Sequence, residues 1–184
     1  MKEIENISLE KYLKMIGFDE EEISMILDYA NSEIDKKVLH EKVKYLISLG
    51  LEARQIRIIL EEDPTFLTEE FEQIKNNSEI LHKYLDKEEL KNTLEVAPEI
   101  LTMKKDDLKR NINLLDIIIN NSEILKVIMQ DRGEILTYKP DYLSDKFTFL
   151  INNGLKENIL KILIENIEIF DLDNSEINIE ELKI

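Results

Sequence analysis

The chain has no cysteine, and its 184 residues include only four glycines, three prolines and three alanines. Without cysteine there is no disulfide framework, no zinc–thiolate site and no cysteine nucleophile. So little glycine and proline argues against a turn-rich all-β fold. Long apolar runs are missing too. The longest stretch without a charge is nine residues, Phe147 to Leu155, far below the ~20 needed to span a bilayer. The start, Met-Lys-Glu-Ile-Glu-Asn, is acidic within six residues, unlike a secretory signal or an Arg-rich transit peptide. These absences predict a soluble cytoplasmic protein with no membrane association. The length suits one domain of roughly 100–200 residues.

What the chain has is isoleucine and leucine, 29 and 26 residues, ample for a core. They recur with a period. Pro64-Thr65-Phe66-Leu67 and Pro98-Glu99-Ile100-Leu101 are followed at the same step by Gly133-Glu134-Ile135-Leu136 and Ile167-Glu168-Ile169-Phe170, and preceded by Asn31-Ser32-Glu33-Ile34. The closing apolar residues, 34, 67, 101, 136 and 170, are spaced 33, 34, 35 and 34. After each comes Asp35, Thr68, Thr102, Thr137 or Asp171, short oxygen-bearing side chains expected to accept from the free amides of a helix start. A period of this size, sought before anything else, indicates a repeat architecture.

Two helices fit between successive phrases. The first carries apolar residues at i, i+4, i+7: Leu39, Val43, Leu46, then Leu108, Ile112, Leu115, then Leu143, Phe147, Leu150. Ser78 breaks the series between Ile74 and Leu81. The second helix carries triplets at i, i+3, i+4: Ile23, Ile26, Leu27; Ile56, Ile59, Leu60; Leu125, Ile128, Met129; Leu160, Leu163, Ile164. Leu90 and Leu94 flank Thr93 in the middle unit. Each set lies on one face at a period of 3.6. Gly17, Gly50 and Gly154 stand where the first helix should stop in a left-handed residue. Asp19 with Glu22, and Asp86 with Glu89, are spaced as capping boxes, and Asn121-Ser122 offers another cap. Pro64 and Pro98 should end a second helix and open a tight turn. The expected fold is all-α: a curved α-solenoid of about five ~34-residue repeats of helix, helix and short 3₁₀ turn. It is read as one domain over residues 1–184, with 171–184 an acidic cap on the last repeat using Ile177, Ile179 and Leu182.

Tetratricopeptide and pentatricopeptide repeats share this period, but tetratricopeptide units need small residues at close helix approaches, and three alanines cannot supply them. Leu46-Ile-Ser-Leu-Gly50-Leu, Ile56-x-x-Ile59-Leu60, Pro64-x-Phe66-Leu67, Pro98-x-Ile100-Leu101, and Ile135-Leu136-Thr137-Tyr138 through Phe149-Leu150 to Gly154-Leu155 resemble the mitochondrial transcription termination factor (mTERF) family. The resemblance covers about residues 8–170. It implies two α-helices and a 3₁₀ helix per repeat, wound into a left-handed superhelix, and a family whose members mostly bind double-stranded DNA or RNA in organelles. The Ile/Asn/Lys/Glu-rich composition and the missing targeting segment suggest a bacterial, acidic member.

Charge qualifies the functional expectation. The net charge is −16. It is −7 over residues 1–35, −4 over 36–101, +1 over 102–161 and −6 over 162–184. The one local basic cluster is Lys104, Lys105, Lys109 and Arg110, interrupted by Asp106 and Asp107, with Lys139 and Lys146 similarly placed in the next unit. These four cations are the candidate nucleic-acid contacts. A polyanion would approach them through a repelling field over about one Debye length, ~8 Å. Asp171-Leu-Asp173-Asn-Ser175 starts like a calcium loop but has Glu176 and Leu182 where that loop needs glycine and glutamate. His40 and His82 belong to no ligand set, and no nucleophile elbow, P-loop or dinucleotide fingerprint occurs. No catalytic residue, cofactor or metal is therefore expected. The leading expectation is a non-catalytic helical-repeat adaptor binding a basic protein partner through its concave face. The alternatives are nucleic-acid binding as in the mTERF family, or an acidic nucleic-acid mimic inhibiting a DNA- or RNA-binding protein.

Overall fold

Isoleucines and leucines spaced three and four apart can share one buried face only on a helix. The computed structural model describes residues 7–29 and 33–183, and among these every regular element is helical. The chain forms two compact units, Met1–Thr102 and Met103–Ile184. The first holds α1 (Leu9–Met15), α2 (Glu20–Tyr29), α3 (Glu33–Ser48), α4 (Ala53–Glu62), the single-turn α5 (Thr65–Thr68), α6 (Phe71–Leu81), α7 (Lys87–Val96) and a 3₁₀ turn, Pro98–Leu101. The second holds α8 (Lys105–Ile119), α9 (Ser122–Asp131), the 3₁₀ turn Gly133–Leu136, α10 (Pro140–Asn152), a 3₁₀ turn Lys156–Asn158, α11 (Ile159–Glu165), the 3₁₀ turn Ile167–Phe170 and α12 (Ile179–Leu182). The repeated unit of helix, helix and tight turn is thus present. α3, α6, α8 and α10 are first helices; α4, α7, α9 and α11 are second helices.

Local rules explain the boundaries. Gly17, Gly50 and Gly154 adopt positive φ, +101°, +92° and +81°, which costs an L-residue ~1–2 kcal/mol. Both capping boxes form: the Asp19 carboxylate accepts from the Glu21 and Glu22 amides while Glu22 accepts from the Asp19 amide, and Asp86 and Glu89 do the same. Asn121 accepts from the Glu123 and Ile124 amides. Ser78, where the apolar spacing fails, is fully buried and donates to the Lys75 carbonyl at 2.8 Å. In the first unit Arg57 of α4 ties the α1–α2 corner down. Its guanidinium lies 4.7 Å from the Phe18 ring centre, pairs with Glu22 at 3.3 Å and with Glu61 at 2.6 Å, and donates to the Gly17 carbonyl.

Four details differ from expectation. In the last repeat the buried triplet is Ile159, Ile162 and Leu163, one residue before the expected set; Leu160 is half-buried and Ile164 is exposed. A 3₁₀ turn leads directly into α11 and advances fewer residues per turn than an α-helix, which shifts the face. The turn after Pro64 is α-helical, with the Glu69 amide bonded to the Thr65 carbonyl at 2.8 Å. Thr68, Thr102 and Thr137 do not cap the following helix. Their hydroxyls donate backwards, Thr68 and Thr137 to the Thr65 and Glu134 carbonyls and Thr102 to the Asp63 carboxylate at 2.7 Å, because Thr68 is the last residue of α5, Thr102 and Thr137 sit in αR geometry directly after their turns, and the next helix starts further on. Asp35 lies inside α3, as do Glu33 and Ile34 by backbone, whereas Asn31 and Ser32 of the first phrase fall outside the described residues.

After Phe170 the chain crosses back over the second unit. Ile177 and Leu182 are buried, Ile179 is half-buried, and Asn158 donates to the Leu182 carbonyl at 3.1 Å. Among the described residues no helix is long and apolar enough to cross a membrane.

Candidate functional site

The basic cluster sits at the start of α8. Lys104 is the exposed N-cap residue, Lys105 is half-buried in the first turn, and Lys109 and Arg110 are exposed one turn on. A helix N-terminus is electropositive and favours acids over lysines. Asp106 and Asp107 in that first turn meet the preference and neutralise the cluster locally. Lys109 approaches Asp106 at 4.0 Å, and Arg110 reaches Asp141 on α10 at 2.5 Å. Lys139 is the exposed N-cap of α10, in the place Lys104 takes on α8. Lys146, the other lysine of that repeat, does not reach solvent. It is 2% exposed and donates to the Leu172 carbonyl.

Lys146 belongs to a set that the sequence conceals. Each first helix from α3 onward buries one hydrogen-bond donor three residues after its first core side chain, and aims it at the turn that closes the repeat. Lys42 donates to the carbonyls of Phe66 (2.9 Å) and Leu67 (3.1 Å). Asn77 donates to those of Ile100 (2.9 Å) and Leu101 (3.2 Å). Asn111 donates to those of Leu136 (2.8 Å) and Tyr138 (2.7 Å), and Lys146 to that of Leu172. A tight turn leaves carbonyls that the helices cannot satisfy, and burying them unpaired would cost ~1–3 kcal/mol each. The four donors remove that cost. Their recurrence at a spacing of 34–35 was the available signal, but an isolated lysine on a helix reads by default as a solvent-facing residue.

Burial lowers the pKa of Lys42, with Glu69 opposing, and lowers that of Lys146, with Asp173 and Asp171 opposing. Around Lys146 the last turn is held by two tyrosines. Tyr138 donates to Asp171, and Tyr142 donates to the Phe170 carbonyl at 2.5 Å. Their rings stack at 5.8 Å. Burial first, then the hydrogen bond to Asp171, pushes the Tyr138 hydroxyl far above its ordinary pKa. Asp171, first in the calcium-loop-like segment, is thus engaged by Tyr138, and the Asp173 amide is capped by Glu176 at 3.0 Å. His40 is half-buried on α3 and His82 is exposed at the end of α6. Among the described residues no group of three or more His, Asp or Glu side chains is placed to hold a metal ion.

The geometry therefore presents helix faces and pinned turns. The four candidate cations are on one short stretch of α8, with Lys109 and Arg110 in ion pairs. No curated protein matches the chain. Compared with known families, residues 28–173 match mTERF, a span that takes in every repeat from the end of α2 to the turn closing the last. By that match and by its helix–helix–turn repeats, the chain belongs to the mTERF family.

Proposed function

We propose that this mTERF-family chain is a non-catalytic helical-repeat adaptor that binds a protein with a basic surface. One observation carries the reading: in the only stretch without excess acid, the cations are largely taken up within the fold. Lys109 and Arg110 pair with Asp106 and Asp141, Lys126 pairs with Glu123 at 3.7 Å, and Lys161 with Glu165 at 3.9 Å. Arg132 donates to the Ile164 carbonyl at 2.8 Å and Lys146 is buried. Exposed ion pairs are weak, ~0–1 kcal/mol, so phosphates could compete for individual partners. Doing so would free carboxylates on a surface that already belongs to a chain of net charge −16.

Family membership favours a second reading, nucleic-acid binding, with Lys104, Lys105, Lys109 and Arg110 as the contacts. Titration of labelled duplex DNA and of duplex and single-stranded RNA at several salt concentrations separates the two. The adaptor reading expects a Kd weaker than ~10 µM at physiological salt, within the weak range of non-specific binding. Nanomolar binding, lost when all four cations are changed to Gln along with a flattening of the log–log salt slope by about 3–4, would establish the family-like function instead.

A further inference from the structure

Second helices can be compared through the triplets they turn to the core. Ile23, Ile26 and Leu27 of α2 align with Ile159, Ile162 and Leu163 of α11, so Met25 and Tyr29 take the places of Lys161 and Glu165. In α11 those positions form an i, i+4 ion pair at 3.9 Å, an ordinary arrangement for a solvated helix face. In α2 they are a thioether and a phenol ring, 55% and 54% exposed. Both lie two residues from Leu27, which puts them on the opposite side of the helix from it. The lysines of the neighbouring first helices, Lys11 and Lys14 on α1 and Lys36 and Lys37 on α3, line grooves that reach Leu27. They therefore stand away from the Met25–Tyr29 side.

This side is acidic on both edges. By helical phase Glu21 and Asp28 flank the pair on one edge and Glu22 on the other. Helix α4 adds Glu61, held on the same guanidinium as Glu22, and Glu62. That guanidinium, of Arg57, is turned in onto the Phe18 ring and the Gly17 carbonyl. Glu21, Glu22, Asp28, Glu61 and Glu62 against Arg57 leave a net −4. Lys14 and Arg54 do not reduce it, because each is matched by a further acid, Glu20 at 3.1 Å and Glu95 at 2.5 Å. On α7, Lys87 and Lys91 are balanced by Glu88 and Glu89. An apolar pair rimmed by excess carboxylate repels acidic segments and phosphates, and it suits arginine better than lysine. A guanidinium stacks on an exposed ring, takes carboxylates in bidentate pairs and is less strongly hydrated than an ammonium. The flexible methionine adapts to the side chain beside it.

We propose that the Met25–Tyr29 face of α2, with Glu61 and Glu62 of α4, docks an arginine-rich protein segment. One guanidinium stacks on the Tyr29 ring and others pair with the carboxylates. This rests on the adaptor reading and names its site. The test uses the full chain, ¹⁵N-labelled, titrated with two short peptides of equal length and charge, one carrying arginines and one lysines at the same positions, and separately with duplex RNA. The arginine peptide should bind about fivefold more tightly than the lysine peptide and shift amides of α2 and α4. Met25→Lys with Tyr29→Glu installs the α11 residues at exposed positions and keeps the net charge at −16, so it removes the apolar pair without weakening the field. It should erase the arginine preference and weaken that peptide about tenfold. Glu21→Gln with Asp28→Asn should weaken both peptides. Equal binding of the two peptides, arginine-peptide binding that Met25→Lys with Tyr29→Glu leaves intact, or shifts confined to other helices overturns the face while leaving the adaptor reading standing. Nanomolar RNA binding that shifts amides of α8 overturns the adaptor reading on which the face rests.

Discussion

Replacing Asn111 tests whether the buried donors hold the repeat together. Asn111 is fully buried, and its amide nitrogen serves two carbonyls, Leu136 at 2.8 Å and Tyr138 at 2.7 Å. Asn111→Ala removes both bonds and leaves two acceptors in a region that water does not reach. At ~1–3 kcal/mol for an orphaned group, and allowing for release of the Asn111 carbonyl oxygen, itself buried without a protein partner, the cost should be about 2–4 kcal/mol. For a chain of this size 3 kcal/mol lowers Tm by ~6–12 °C. Asn111→Asp separates hydrogen bonding from space filling. It keeps the volume but turns an ionised oxygen towards two carbonyls, so it should cost more than Ala near neutral pH. The repulsion raises the new carboxyl's pKa in the folded state above the unfolded ~3.9. Its deficit should therefore shrink as pH falls through that raised pKa, where the protonated acid can donate. Because the chain has two compact units, amide exchange over residues 133–138 should accompany calorimetry, to locate the loss in the second. Asn111→Ala within 0.5 kcal/mol of the parent, or Asn111→Asp milder than Ala at pH 7, would refute the donor role.

The remaining predictions rest on separate features. Leu101 is fully buried in the turn closing its repeat, and Leu101→Ala should cost ~2–5 kcal/mol, while Lys161, with 40% of its side chain exposed, should tolerate Ala within ~0.5 kcal/mol; equal denaturation midpoints would reject the assignment of the inner face. Gly17→Ala meets both a φ of +101° and the Arg57 guanidinium nitrogen 3.0 Å from the new methyl, so it should cost more than Gly154→Ala, which has open space, at ~1 kcal/mol. Burial lowers the Lys42 pKa in the folded state, so the unfolded chain holds that proton more tightly and Lys42 contributes a stability that rises as pH climbs from its folded pKa towards the unfolded ~10.4. The parent should gain stability over Lys42→Met as pH climbs from 7 to 10, so the gap between their urea midpoints should widen, and parallel curves would contradict the shift.

The repeat was legible because its signals are local. Ile56, Ile59 and Leu60 must share a helix face, Asp86 and Glu89 are spaced for a capping box, and a glycine between two helical patterns has one economical conformation. Each such rule involves residues within a turn of one another, and the fold obeys it. The slip at α11 came from a rule reaching slightly further. Nothing in Lys156-Glu157-Asn158 announces a 3₁₀ turn, and one residue of phase moves Ile164 from core to surface. The threonines after each turn misled for a related reason: a hydroxyl can bond forward or back, and the direction is set by backbone geometry that forms only once the turn has folded.

Side chains whose role depends on a distant partner were hidden. Lys42 and Lys146 look like surface lysines until carbonyls more than twenty positions away close over them. Ile117 is hidden differently. It lies in the run Ile117-Ile118-Ile119, where composition is uniform but exposure falls from 76% at Ile117, through half-burial, to 7% at Ile119. Composition alone cannot tell which isoleucine faces outward. The repeat can, because Ile119 continues the inward face of Leu108, Ile112 and Leu115, and Ile117 falls opposite it, where the first unit has a serine. In a repeat protein the core positions must stay alike for neighbouring units to stack, so differences accumulate on the faces that stacking does not use. At Ile117 one repeat departs from another towards a larger apolar side chain that is 76% exposed, so the change adds nothing to the core.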